Sequence, residues 1–263
     1  MVTPLQDMRV LITGGGRGIG FEIAKDLAAS GTRIWLGGRS ESVCAARNNL
    51  GSSGIEASTH DVGDTHSVAA LFQRIRATWG GLDAVIHSAA ILGEAGRFWE
   101  ISTESAWQVL RVNTLGTYLV CREFVNLWLE RRGSGRRGKL ILFAGGGAAY
   151  GYPKFLPYGC SKAADVRMCE TMSIELAEAG IDIDVNIVAP GANDTDMLRQ
   201  VRQAGAEVRT VVPFSKPIAL CRWLLSPASD GITGLFLHVN DAYQQLAQRK
   251  LREGAFQLRR VEP

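Results

Sequence analysis

Thr13-Gly14-Gly15-Gly16-Arg17-Gly18-Ile19-Gly20 is the stretch on which the fold turns. It follows an apolar run over 9–13 and opens a helical pattern over 18–30 that Gly31 closes. Glycines there let the chain leave a strand sharply and bring backbone N–H groups close to an anion. The helix that starts in the turn points the positive end of its dipole at the same place. A glycine-rich turn alone is weak evidence. Between a first strand and a first helix it is where a dinucleotide pyrophosphate is held. Gly14, Gly16, Arg17, Gly18, Ile19 and Gly20 are therefore expected to bind the phosphates.

Outward from this turn the chain alternates short apolar runs with helical patterns. Strands are expected at 9–13, 33–37, 55–59, 82–87, 139–143, 183–189 and 235–239. Helices are expected at 18–30, 41–50 with Ser40 as cap, 65–79 with Asp64 as N-cap, 103–132, 158–179 and 218–226. The alternation predicts an α/β protein, a Rossmann-type doubly wound parallel sheet of seven strands with helices on both faces. Residues 1–263 read as one dinucleotide-binding and catalytic domain, with 133–138 a loop and 243–263 a C-terminal extension. Ligands of such sheets bind beyond the carboxyl ends of the strands, so the chemistry is sought there.

Composition is that of a globular chain: of 263 residues, 46% are apolar and 21% charged, and the net charge is only +3. Basic residues gather at Arg131, Arg132, Arg136, Arg137 and Lys139, and at Arg249, Lys250, Arg252, Arg259 and Arg260. They read as a solvated loop and tail, with no nucleic-acid partner expected. The five cysteines form no Cys-x-x-Cys pair, and neither a metal site nor a disulfide framework is expected. No signal sequence and no membrane span are read, and a reducing cytoplasm is the expected location.

The second strand ends in Gly37-Gly38-Arg39, where an NAD site would place a carboxylate for the ribose hydroxyls. Gly38 offers none, and Glu41 lies beyond the turn. Arg39 and Arg17 suit a 2′-phosphate, so NADP(H) is favoured, with NAD(H) open. After the third strand Asp61, followed by Val62, offers an acceptor to the adenine amino group, or simply leads into a helix. Ser88 and Ala89, after the fourth strand, let the chain pass close to a cofactor. His60 and His87 read as structural.

Tyr158 and Lys162, four residues apart, share one face of a helix. An ammonium beside a phenol favours phenolate and is expected to lower the Tyr158 pKa, fitting it to exchange a proton with a carbonyl or alcohol. Lys162 also suits a nicotinamide ribose.

With these residues in place the chain resembles the short-chain dehydrogenase/reductase family over nearly its full length. Thr13, Gly14, Gly18 and Gly20 match the family's glycine motif, Asp61-Val62 its adenine-side motif, and Tyr158 with Lys162 its Tyr-x-x-x-Lys pair. The resemblance implies further roles. Asn113 corresponds to an asparagine that holds a proton-relay water. Pro190, Gly191 and Thr195 correspond to the segment that contacts the nicotinamide carboxamide. It also implies strand order 3-2-1-4-5-6-7, and a homo-oligomer, dimer or tetramer, for which Leu115, Leu119, Phe124, Val125, Leu127 and Trp128 are candidates.

The chain departs from the family where a serine normally follows the fifth strand and hydrogen-bonds the reacting oxygen. Gly145 stands there, within Ala144-Gly145-Gly146-Gly147-Ala148-Ala149. Backbone amides of that turn, Tyr150, Ser88 or a substrate hydroxyl are the candidate replacements. The expected activity is an NADP(H)-dependent oxidoreduction between a carbonyl and a secondary alcohol of a small molecule. The polar residues Asp194, Asp196, Arg199, Arg202 and Arg209 suggest a sugar-like substrate. Two alternatives stay open: an NADP(H)-binding regulatory module without efficient turnover, and an epimerase or dehydratase that retains its cofactor. The tail from Tyr243 is read as packing on a neighbouring subunit, folding over the site rim, or disordered.

Overall fold

The computed structural model describes residues 5–51, 54–130, 136–208, 211–248 and 254–259. The expectations for Arg131, Arg132, Arg209, Arg249, Lys250, Arg252 and Arg260 lie outside these residues.

Seven strands form one sheet: β1 (Arg9–Thr13), β2 (Arg33–Gly38), β3 (Ile55–Thr59), β4 (Ala84–His87), β5 (Gly138–Phe143), β6 (Ile183–Ala189) and β7 (Phe236–His238). Their order is β3-β2-β1-β4-β5-β6-β7, as expected, and every pairing is parallel. Both faces are covered, which is why the central strands are unbroken apolar runs rather than alternating ones. Along β1 the side chains still alternate between two cores. Val10 and Ile12 pack with Ile23 and Leu27 of α1 (Gly18–Ala28) and Leu220 and Leu224 of α8 (Ser215–Leu225). Leu11 packs on the other side, with Phe72 of α3 (Thr65–Trp79), Phe124 of α5 (Gly116–Glu130) and Val166 of α6 (Leu156–Glu178). The remaining helices are α2 (Ser42–Leu50), α4 (Thr103–Leu110) and α7 (Asp196–Gln203).

Register brings the carboxyl ends of the central strands level: Thr13 lies opposite Gly37 on one side and His87 on the other. The Thr13 hydroxyl and His87 Nδ1 are 2.8 Å apart, tying β1 to β4 at that edge. Burial holds His60 at about 4 and His87 at about 3, well below the ordinary imidazole value. Both are neutral packing elements, as expected, and the His60 ring fills the space beside Gly37 that a larger residue would need.

Four local expectations are corrected. Asp64 does cap α3, its carboxylate accepting from Ser67 N at 2.7 Å, but Ser40 does not cap α2. The Ser40 hydroxyl instead shares a hydrogen bond of 2.9 Å with Ser42, and α2 starts from Glu41 without a side-chain cap. The helix expected over 103–132 is interrupted by a π-helical turn over Arg111–Leu115, between α4 and α5. Helix α6 starts at Leu156, with Pro157 in its first turn, so Tyr158 lies at the very start of the helix. The described tail packs on its own chain: Tyr243 and Leu246 are buried, and the Tyr243 ring lies 5.2 Å from that of Trp223. Phe236 N donates to the Phe256 carbonyl at 2.7 Å, and Leu258 N donates to Glu170 at 2.5 Å. Among the described residues no helix is long and apolar enough to cross a membrane, and no three His, Cys, Asp or Glu side chains gather as a metal would need.

Candidate active site

A cavity of about 970 Å³ opens at the carboxyl edge of the sheet. It runs from Arg39 and Ser42 at one end, past the glycine turn, to Tyr158 and Lys162 at the other. Gly14, Gly16, Arg17, Gly18, Ile19, Gly20, Arg39, Asp61, Val62, Ser88, Ala89, Tyr158, Lys162, Pro190, Gly191 and Thr195 all line it. Asn113 alone of the expected site residues stands outside the lining, behind the wall.

The turn has the shape a pyrophosphate requires. Gly14 has φ +67°, and a Cβ there would lie 2.8 Å from Ala89 N. At Gly20 a Cβ would meet Ser88 Oγ at 2.5 Å and Gly14 O at 2.6 Å. Backbone therefore meets backbone here, and the N-terminus of α1 is left facing the cavity. These residues fit a dinucleotide: the cradle exists because side chains are absent, and a chain with alanine in these places could not form it.

At the Arg39 end of the cavity two expected groups are already engaged. Asp61 accepts from Arg111 at 2.9 Å and from Gly63 N at 2.9 Å. Partial burial alone would push its carboxyl up. The Gly63 amide and the Arg111 guanidinium outweigh that and hold it below the usual carboxylate range. Arg17 forms an exposed ion pair of 3.1 Å with Asp196, at the start of α7. Arg39 is exposed at the cavity mouth.

At the other end Gly145 lies directly under Tyr158. A Cβ on Gly145 would collide with the Tyr158 hydroxyl, so the phenol itself fills that space. A Cβ on Gly146 would lie 2.8 Å from the Tyr152 ring, and one on Gly147, at φ +89°, would lie 2.6 Å from the Gly159 Cα. The three glycines are the floor that lets two tyrosines and the first turn of α6 descend onto β5. Ser88 is no substitute hydroxyl, because its proton goes to the Thr13 carbonyl at 2.7 Å.

Lys162 departs from expectation. Its Nζ donates to the Phe143 carbonyl at 2.9 Å and to Asp165 Oδ2 at 3.0 Å, both in buried surroundings. The Tyr158 phenol is not lowered but pushed up, by burial first and then by the charges of Asp165 and Tyr150. Asn113, fully buried in the π turn, uses its side chain as a brace: its amide nitrogen donates to the Ile91 carbonyl at 2.9 Å and to Ser161 Oγ at 3.0 Å, and its oxygen accepts from Ile91 N at 2.9 Å. Its main-chain carbonyl accepts from Thr117 at 2.5 Å.

Helix α7 covers this end. Its polar residues Asp196, Arg199 and Arg202 face solvent, while Leu198 and Val201 are buried beneath it. The lid expected to be polar thus presents an apolar underside. Val201 packs with Leu92, Phe155 and Tyr158, and Met197, Tyr152 and Val208 close around them. Sequence reasoning missed Tyr152 and Asp165. Tyr152 sits in an irregular loop that offers no periodic signal. Asp165, one turn after Lys162 on the same helix, carries no sign in the sequence of its burial.

Residues 8–206 match the short chain dehydrogenase family. A relative from Sphingobium indicum, 2,5-dichloro-2,5-cyclohexadiene-1,4-diol dehydrogenase, is 28% identical over 254 residues, 92% of this chain and 99% of its own length. A short chain dehydrogenase from Shigella flexneri 2a, solved with NADP, superposes with a TM-score of 0.82 at 22% identity, covering 92% of this chain and 100% of that one. The 3-ketoacyl-(acyl-carrier-protein) reductase of Brucella melitensis, solved with NADH, gives a TM-score of 0.80 at 24% identity, covering 89% and 97%. With the sheet order, the glycine cradle and the Tyr158–Lys162 helix in one cavity, this chain belongs to the short-chain dehydrogenase family.

Proposed function

We propose that this protein is an NADP(H)-preferring oxidoreductase that interconverts a ketone and a secondary alcohol on a largely apolar, ring-sized substrate. The observation that carries the reading is the Tyr158 hydroxyl, seated on Gly145 in the same cavity as the glycine cradle. Family membership supports an oxidoreductase acting on alcohol or carbonyl groups. The apolar underside of α7 supports the substrate class, since a sugar would leave its hydroxyls unpaired against Leu92, Val201 and Met197. The cyclic diol named for the Sphingobium relative is a substrate of that kind.

The pyrophosphate would lie on Gly14, Gly16, Gly18, Ile19 and Gly20, the adenosine end along Asp61 and Val62, and the nicotinamide end between Ser88, Ala89, Pro190, Gly191, Thr195 and Lys162. When bound, the cofactor supplies or accepts hydride. Tyr158 gives its proton to the substrate oxygen in reduction and takes one in oxidation. Gly145–Gly147 keeps side chains off the floor beneath that oxygen, and α7 keeps water out above it. Asn113 braces Ser161 and so the first turns of α6. Trp107, Leu110, Leu115 and Tyr118 are exposed along α4, the π turn and α5, and favour association of this face with a second copy. Of the apolar positions expected to serve that purpose, Leu119, Phe124 and Leu127 are buried within the chain.

Arg39 is free to meet a 2′-phosphate, whereas Arg17 must first leave Asp196. Arg39→Ala is therefore expected to weaken NADPH binding about tenfold, the loss of one charge-assisted contact, and to leave NADH binding unchanged. Nicotinamide fluorescence titrations of both cofactors check this. Equal losses for the two, or none, would count against a 2′-phosphate site at Arg39. Oxidation of NADPH over a panel of cyclic ketones and of ketosugars tests the activity and its substrate class together.

A further inference from the structure

Two phenols stand on one glycine floor. Gly145 lies under the Tyr158 hydroxyl, and the next residue, Gly146, under the Tyr152 ring, where a Cβ would lie 2.8 Å from Cζ. Consecutive Cα atoms are about 3.8 Å apart, so the hydroxyl ends of the two rings come within reach of a single ring-sized molecule. The Tyr152 ring is held firmly. Gly146 lies beneath it, a Cβ on Gly147 would lie 3.0 Å from its own Cβ, and Phe155 stacks on it at 5.5 Å between ring centres. Its centre is 6.5 Å from that of Tyr158. Phe155 behind it is buried, but Tyr152 is half-buried and lines the cavity. Among the described residues none hydrogen-bonds its hydroxyl. Burial first, then Tyr158 and Tyr150, push its pKa up, so it meets a ligand as a neutral O–H donor. The wall around it offers nothing similar: Leu92, Phe155, Met197, Val201 and Val208 are apolar. Tyr150, Gln200 and Glu207 also line the cavity but are exposed to solvent. A substrate that brings a second oxygen to Tyr152 satisfies its hydroxyl. One that brings a methyl group leaves that hydroxyl stripped of water and unpaired.

We propose that Tyr152 determines specificity: its hydroxyl donates to a second oxygen of the substrate while Tyr158 faces the reacting one, so the site prefers cyclic ketones that carry a further carbonyl, hydroxyl or ether oxygen. The inference rests on the oxidoreductase reading above and narrows its substrate class from apolar rings to rings oxygenated at two positions. Tyr152 makes and breaks no bond; it reads a part of the substrate away from the reacting carbon.

The test follows NADPH oxidation by the wild type and by Tyr152→Phe, which keeps the ring, its seat on Gly146 and its stacking on Phe155. Two pairs of ketones of matched size serve as probes: cyclohexane-1,4-dione beside 4-methylcyclohexanone, and 3-methoxycyclohexanone beside 3-ethylcyclohexanone. The intrinsic reactivity of each ketone is common to both proteins, so the readout is the change in the kcat/KM ratio within a pair on mutation. In at least one pair the variant is expected to lower the ratio about tenfold, the contribution of one hydrogen bond, by losing rate on the oxygenated ketone. Its kcat/KM for the alkyl ketone should stay within about threefold, and its melting temperature should hold. Dissociation constants of the same ketones with NADP+, which cannot reduce them, should show the same change by calorimetry. Unchanged ratios, or equal losses on both members of each pair, would overturn the role of Tyr152 and leave the oxidoreductase standing. A lost binding preference in a protein whose wild type turns over no ketone would overturn the oxidoreductase and leave the recognition standing. Neither turnover nor selective binding would overturn both. A variant that does not fold would make the hydroxyl structural and overturn the proposal.

Discussion

Tyr158→Phe is expected to lower turnover of every carbonyl substrate by about two to four orders of magnitude, the usual worth of a positioned proton donor. NADPH affinity should stay within about threefold, because the ring, and not the hydroxyl, packs with Phe155, Leu92 and Val201. Phenylalanine keeps that packing and the helix start, so thermal stability should hold. The two cofactor-bound states would then differ only in the proton available at the floor. Steady-state kinetics with NADPH and one accepted ketone, beside a cofactor titration, separate the effects. Equal rates for the variant and the wild type would leave a protein that binds the dinucleotide without using Tyr158. The regulatory reading of the chain would then be preferred.

Gly145→Ser should also be damaging, although it supplies the hydroxyl that the family resemblance led one to expect there. The Cβ, not the hydroxyl, is the obstacle, since it occupies the place of the Tyr158 oxygen. The phenol must swing away, and a displacement of order one ångström at a reacting group lowers rates about a hundredfold. Overpacking in so tight a floor also destabilises by about 1–3 kcal/mol. Gly145→Ala should be as harmful as Gly145→Ser, which separates collision from hydrogen bonding. Adding Tyr158→Phe to either should recover melting temperature without recovering turnover. A gain in rate from serine alone would mean that the phenol has room to spare and that Gly145 is simply a lost donor.

These two results bear on how the site could be read before its geometry was known. The glycine turn and the Tyr158–Lys162 spacing were legible because each is local: a strand, a turn and a helix face announce themselves within a few residues, whereas the strand order came only through the family resemblance. What Gly145 means was not, because its neighbour in space is thirteen residues along the chain, on another element. The break in the long helix left no trace either. A π turn adds one residue to a helical ladder without changing its composition, and Arg111–Leu115 is as good a helix as its flanks. The charge of Lys162 was counted correctly and its partner was not. A lysine and an aspartate three apart on a helix are as common on a surface as in a core, and only burial makes these two a unit. The polar lid failed for the same reason: the polar residues of α7 outnumber its apolar ones, but the apolar ones face the cavity.

The most direct test is a crystal structure of the protein grown with NADP+. The account predicts pyrophosphate density on the amides of Gly16–Gly20, the 2′-phosphate beside Arg39, and the nicotinamide ring stacked within about 4 Å of the Tyr158 hydroxyl. A dinucleotide bound elsewhere, or one whose nicotinamide lies on the far side of the chamber from Tyr158, would contradict it.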